Sequence, residues 1–206
     1  MAKFIEGVNV STEINKFEDY FQHLNKISLL GRTYKKLFSS PLLYLSARRF
    51  GSRIIEVGAG IGSGVLGTFP SRVVGLDINP LAVEYCQKRG LSAQLISENG
   101  SFPMEDGSFD SCILDNVLEH IEDAQTILDE CWRVTKQNGG MVIVVPGVRG
   151  FNFDLDHKVF CDEEKLRHLD TRWSMVNLFA MPSFLLSQKL SKSMRQYCLV
   201  AVYKKN

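Results

Sequence analysis

The sequence predicts an α/β fold of three layers, with helices on both faces of a mostly parallel β-sheet. Three observations predict it. From residue 53 to residue 146, short β-branched apolar runs alternate with segments of helical periodicity; strands buried on both faces and joined by crossover helices read this way. The first run stops at a cluster of glycines, as a strand does where the chain must turn sharply into a helix. The chain has 206 residues, 45% hydrophobic and 23% charged, which suits one domain with a full core.

The elements follow in order. Residues 12–28 place Ile14, Phe17, Tyr20, Phe21, Leu24 and Ile27 at three- and four-residue spacing. That is one apolar stripe on a helix, capped by Ser11-Thr12-Glu13. A second helical segment over roughly 32–49 is expected to break at Pro41, with Ser39 and Ser40 as turn or cap. Arg48 and Arg49 favour its C-terminal end and Gly51 closes it. Strands are expected over 53–57, 72–77, 93–96, 111–114 and 141–145, with helices over 79–89 and 117–135 between them. Beyond these, 162–170 reads as helix, and 173–180 and 196–203 as strands. With no long helix between them, the last two are expected to pair antiparallel at the sheet edge.

Composition narrows the function. A net charge of +1 removes the main argument for a nucleic-acid partner, because neutralising phosphates takes a surplus of Lys and Arg. Cys86, Cys112, Cys131, Cys161 and Cys198 are scattered and form no C-x-x-C pair, which predicts reduced thiols and a cytoplasmic protein. Neither a signal peptide nor a membrane-inserted segment is expected.

The first chemical signal is Glu56-Val57-Gly58-Ala59-Gly60-Ile61-Gly62-Ser63-Gly64, at the end of the first strand. Glycines there let the backbone approach a ligand, and the next helix points N–H groups at it. A dinucleotide site wants G-x-G-x-x-G directly after the strand. Counted from Gly58, the sixth position is Ser63; the frame Gly62 to Gly67 fits but starts too far along. Glu56 ahead of the glycines repels a pyrophosphate and attracts a ligand carrying an amino group and a sulfonium.

Glu56-x-Gly58-x-Gly60-x-Gly62 resembles the first motif of the class I S-adenosylmethionine-dependent methyltransferases, with Ala59 inside it. Asp77, ending the second strand, matches that family's acidic residue for the ribose hydroxyls, and Ile78 its apolar residue packed on adenine. Read without the family, Asp77 is a cap for the next helix. The segment Phe102 to Asp110 resembles the approach to the fourth strand in the subgroup related to ubiquinone biosynthesis. Counting back, Glu98-Asn99 falls where that subgroup reads the adenine amino group. Asp115-Asn116-Val117-Leu118-Glu119-His120-Ile121 resembles the loop beneath the methionine part. Some ubiquinone-pathway O-methyltransferases bind a divalent metal through acidic residues and a histidine of this helix. Here Asn116 stands where the first acidic ligand would fall, so no metal is expected. The resemblance covers about residues 52–146. It implies a Rossmann-like sandwich with a seven-stranded, mostly parallel sheet, antiparallel in its last strand, and S-adenosyl-L-methionine as cofactor. It divides a single domain into a helical cap at 1–50, a cofactor-binding core at 51–146, and a substrate-side loop with C-terminal strands at 147–206.

The loop after the fifth strand, Val145 to Phe160, is too charged and aromatic for a simple connector. It resembles the Asp-x-x-His and Asp-His pieces of small methyltransferases. His157 is the candidate general base, since an imidazole titrates near neutral pH; Asp154 or Asp156 would orient it. His120 is the second catalytic candidate. The expected reaction is methyl transfer to a small polar molecule, with O-methylation the leading form and a sugar or surface-polysaccharide precursor a candidate acceptor. A non-catalytic S-adenosylmethionine-binding regulator and a nicotinamide oxidoreductase are the competing readings. The charged 152–160 loop argues against the first and Glu56 against the second.

Overall fold

The computed structural model describes residues 29–206, together with Phe17, Glu18 and Gln22. Those three are helical; the rest of the stripe expected over 12–28 lies outside the described residues. The chain is then helical without interruption: α1 (Leu29–Tyr34), a π-helical turn (Lys35–Ser39) and α2 (Ser40–Arg48). The break expected at Pro41 does not occur. The proline sits in the first turn of α2, and the wide turn ahead of it absorbs its missing N–H and its bulk. Ser39 and Ser40 are buried, and Ser39 makes no side-chain cap.

Seven strands follow: β1 (Ile54–Val57), β2 (Val73–Asp77), β3 (Ala93–Leu95), β4 (Phe109–Asp115), β5 (Thr135–Pro146), β6 (Trp173–Met181) and β7 (Cys198–Lys205). Between them lie α3 (Val65–Thr68), α4 (Pro80–Lys88), α5 (Gln125–Val134), α6 (Val148–Phe151), α7 (Glu163–Arg167) and α8 (Gln188–Ser193). They form one sheet in the order β3-β2-β1-β4-β5-β7-β6. The first five strands are parallel, and β7 runs antiparallel to both β5 and β6. The expected C-terminal pair is therefore present, with β6 outermost.

Strand alternation builds two cores. Ile55, Val57, Cys112, Leu114, Met141 and Ile143 face Leu128, Cys131 and Val134 of α5. Ile54, Val73, Ile113, Val142 and Val144 face Leu43 and Ala47 of α2, Leu66 of α3 and Val83 of α4. β1, β2, β4 and β5 are thus apolar on both faces, which is why these runs read as continuous rather than alternating.

The helix expected over 117–135 is shorter. Leu118–His120 forms a single 3₁₀ turn, Ile121 is extended, and α5 begins at Gln125, whose N–H donates to Asp123. β5 starts earlier than the apolar run, at Thr135. Its register on β4 shifts between Phe109 and Ser111, where Asn138 holds a positive φ; the turn chemistry of Asn138-Gly139 masks the strand in the sequence. No helix among the described residues is long and apolar enough to cross a membrane.

Candidate active site

Chain order reverses on the two sides of β1, with β2 on one side and β4 on the other. A crevice opens at the carboxyl ends of strands at such a switch point. Here it is a cavity of about 590 Å³ walled by the glycine turn after β1, the end of β4, the π-helical turn and the loop after β5.

The glycine turn forms the floor. Gly58, Gly60 and Gly62 all have φ between 52° and 71°, the left-handed region that only glycine enters without strain. A Cβ on Gly58 would also meet Val117 Cγ2 at 2.5 Å. Gly58, Ala59 and Gly60 line the cavity, whereas Gly62 packs toward Leu91. Glu56 is buried and accepts from Val65 N–H at 3.1 Å and Leu66 N–H at 2.6 Å. Its two oxygens thus cap α3 while it borders the cavity, so it fixes the turn as well as setting its charge. Burial pushes its carboxyl up to about 7.

Asp77 braces the same turn. Its Oδ2 accepts from Gly60 N–H at 2.7 Å and its Oδ1 from Asn79 N–H at 2.8 Å. Burial raises its pKa. The alternative in which Asp77 caps the next helix is corrected: Asn79 caps α4, its side chain accepting from Leu81 and Ala82 N–H. Asp77, Ile78, Glu98 and Asn99 do not wall the cavity; Ile78 is 52% exposed, and Asn99 closes its own turn by accepting from Ser101 N–H. Asp77 ends β2 with Ile78 next to it, and Glu98 and Asn99 lie on the turn after β3.

At the opposite wall, Asp115 ends β4 with one oxygen 3.1 Å from Lys35 Nζ and the other accepting from the Asn116 amide at 2.7 Å. Asn116 holds φ 57°, and its N–H donates to Val144 O. The Asp115 charge holds the Lys35 ammonium's pKa above its usual value. Tyr34 lines the same wall, and among the described residues its buried hydroxyl has no hydrogen-bond partner.

The far wall carries the histidines. Lys158 and Val159 donate their N–H groups to Glu119 O at 2.7 and 3.1 Å. This pairing pins the loop to the 3₁₀ turn and sets His157 beside His120, ring centroids 4.8 Å apart. His157 Nδ1 lies 2.9 Å from Phe151 O. A carbonyl only accepts, so Nδ1 carries the proton and Nε2 the lone pair. Asp154 Oδ1 accepts from Asp156 N–H, and both aspartates line the cavity. Burial, with His157 alongside, lowers the pKa of His120.

Glu119 stands behind this pair, 1% exposed, its Oε1 3.9 Å from His157 Nε2. Neither of its oxygens has a hydrogen-bond partner among the described residues. Burial pushes its carboxyl up to about 8. Glu119, His120 and His157 bring three possible ligand atoms within 4.8 Å of one another, a set able to hold a cation although the sequence led us to expect none. Sequence reasoning missed Tyr34, Lys35, Arg195 and Cys198 as wall residues, because they come from segments without a motif and meet only through the topology.

Residues 55–143 match the methyltransferase domain family. Over 105 residues the chain is 29% identical to a protein of Mycolicibacterium smegmatis described as a probable S-adenosylmethionine-dependent methyltransferase, covering 50% of this chain and 41% of that one. It is 29% identical over 110 residues to a ubiquinone biosynthesis O-methyltransferase of Xanthomonas oryzae, covering 48% of this chain and 46% of that one. The chain spans about half the length of the curated relatives it matches. Among solved structures, a SAM-dependent methyltransferase from Aquifex aeolicus superimposes with a TM-score of 0.63 at 17% identity, covering 91% of this chain and 98% of that one.

Proposed function

We propose that this chain is a class I S-adenosylmethionine-dependent methyltransferase, a reading supported by the family match over residues 55–143, and that it transfers a methyl group to a hydroxyl of a small polar acceptor, a sugar or surface-polysaccharide precursor being the first class to try. The observation that carries this reading is one cavity with the glycine turn at one side and two imidazoles at the other. Its volume of about 590 Å³ lies within the range of about 300–1,000 Å³ usual for small-molecule sites.

S-adenosylmethionine would supply a methyl group already activated on a sulfonium, so no Lewis acid is needed for the transfer. As the family resemblance implies, Gly58 and Gly60 would allow close backbone approach, Asp77 and Ile78 would serve the nucleoside, Glu98 and Asn99 the base, and Asp115 with Asn116 the amino-acid end. The protein's main contribution is holding the acceptor oxygen in line with the S–CH3 bond, worth about 7–11 kcal/mol of barrier. The hydroxyl proton of the acceptor would pass to His157 Nε2 as the methyl group is transferred, with His120 alongside as the second imidazole. The reaction leaves methylated acceptor and S-adenosylhomocysteine.

Calorimetric titration of the purified chain with S-adenosylhomocysteine, with NAD as control, tests the cofactor. Saturable binding of S-adenosylhomocysteine alone is expected; binding of NAD alone, or of neither, defeats the reading. An acceptor screen then decides between O-methylation and transfer to nitrogen or carbon.

A further inference from the structure

We propose that the face around the mouth of the cavity docks on an anionic bilayer surface. Its exposed Phe and Leu side chains enter the interface, and the lysines and arginine among them meet the lipid headgroups.

The connection between β6 and β7 carries the apolar part. Pro146, Cys198 and Met181 are register partners across β5, β7 and β6. The connection therefore leaves from the carboxyl-end edge of the sheet, where Met181 and Cys198 wall the cavity. Phe184, Leu185 and Leu186 are exposed on it. The hydroxyl of buried Tyr197 accepts from Ser187 N–H at 2.8 Å and donates to Leu185 O at 3.0 Å, so these side chains stand out from an anchored main chain. Phe184 holds φ 59°, a conformation that a bulky residue adopts rarely and at a cost. Its ring lies 6.1 Å from that of Phe38 and 6.2 Å from that of Phe179. Phe38 and Leu37, the latter 71% exposed, come from the π-helical turn. Two segments remote in sequence thus join in one exposed apolar patch, and such patches mark binding surfaces.

The charge pattern selects the partner. No Asp or Glu stands between Asp19 and Glu56 or after Asp170, yet these two stretches hold 13 of the chain's 24 Lys and Arg. The net charge of +1 therefore conceals a division between basic and acidic parts. At the patch, Lys36 of the turn and Lys189 and Lys192 of α8 are exposed, and among the described residues none of them makes a salt bridge. Arg195, on the cavity wall, lies 3.4 Å over the ring of exposed Phe153. The acids of that loop, Asp154 and Asp156, line the cavity. Cations set beside apolar side chains suit a bilayer with negative headgroups, where each part meets its own layer. A second copy of this chain would bring like charges together, and a phosphate backbone makes no use of exposed leucines.

Vesicle flotation tests this, with phosphatidylcholine alone and with an equal mixture of phosphatidylcholine and phosphatidylglycerol. Binding to the anionic vesicles only, weakened as salt is raised, is expected. Lys189→Gln with Lys192→Gln is expected to weaken it about 10- to 30-fold, and Leu185→Ser about tenfold. Arg48→Gln with Arg49→Gln, the same change of charge at the far end of α2, is expected to leave it unchanged. Thermal melts confirm that each variant folds, and none of these readouts involves the cofactor. No binding to either vesicle, equal binding to both, or an equal loss in the Arg48 and Arg49 variant overturns the proposal. So does an oligomer, seen by light scattering without lipid, that Leu185→Ser dissociates, since the patch would then belong to a second copy. Displacement of the chain from the vesicles by a single-stranded oligonucleotide overturns it as well, in favour of a nucleic-acid surface.

Discussion

At the scale of single residues, His157 lines the wall opposite the glycine turn and Glu119 stands buried behind it. The Phe151 carbonyl fixes the tautomer of His157, so Nε2 is the basic nitrogen and substitution removes it cleanly. His157→Ala is expected to reduce turnover about 10²- to 10⁴-fold with S-adenosylhomocysteine affinity unchanged, measured by initial rates and calorimetry side by side. Unchanged turnover at saturating acceptor would remove His157 from the chemistry. The sequence marked His157, since a histidine in a charged loop after a parallel strand stands out. It did not reveal the partner of that ring, because a main-chain carbonyl six residues away has no side-chain signature. Nor did it give Glu119 its place: the sequence shows a carboxylate beside a histidine, whereas its 1% exposure depends on the loop that folds over it. Lys35 was illegible for a similar reason, as one lysine in a helical run of Lys, Leu and Phe.

At the scale of elements, the glycine turn and α4 are held by one set of side chains. Asp77 accepts from both Gly60 and Asn79, and Asn79 caps α4. Asn79→Ala is expected to cost about 1 kcal/mol in urea unfolding. It should also weaken S-adenosylhomocysteine, because the Asn79 N–H that steadies Asp77 loses its anchored position. Loss of stability with affinity unchanged would show that cap and ligand turn are independent. The strands of this region were legible, since residues buried on both faces leave continuous apolar runs. The α-helix edges were less so. The 3₁₀ turn at Leu118–His120 keeps helical spacing over too few residues to be told from the start of α5, and Pro41 looked like a break because no spacing pattern announces a π-helical turn.

At the scale of the molecule, buried acids and exposed ion pairs set opposite limits in pH. Burial holds Glu56 up to about 7 and Glu119 up to about 8, above the unfolded value near 4.5. The folded chain therefore keeps protons that the unfolded chain gives up. This contribution is complete below about 4.5 and is lost as pH rises through about 7 and then about 8. Glu130, held low by Arg133, and Asp129, held low by Gln125 and Arg172, work the other way and lose their stabilisation in acid. Melting temperature is expected to peak around pH 5–6 and to fall toward pH 9, read by scanning calorimetry across that range. Glu119→Gln, neutral at every pH, should flatten the alkaline side. A wild-type profile that rises between pH 6 and 9, or a variant profile as steep as the wild type, would show that these carboxyls ionise normally in the fold. None of this was visible in a net charge of +1, which counts charges without saying which are buried.

The π-helical turn at Lys35–Ser39 has one further consequence. Such a turn holds one residue more than the α-helix needs, and each residue of an α-helix advances the side-chain direction by about 100°. Everything N-terminal to the turn is therefore out of phase with α2 by that angle. Deleting a single residue there would let the helix run through in phase, leaving α2 packed while rotating Tyr34 and Lys35 away from the end of β4. The aim of these two side chains at the cavity is a property of chain length, set by one surplus residue rather than by what they themselves bond to.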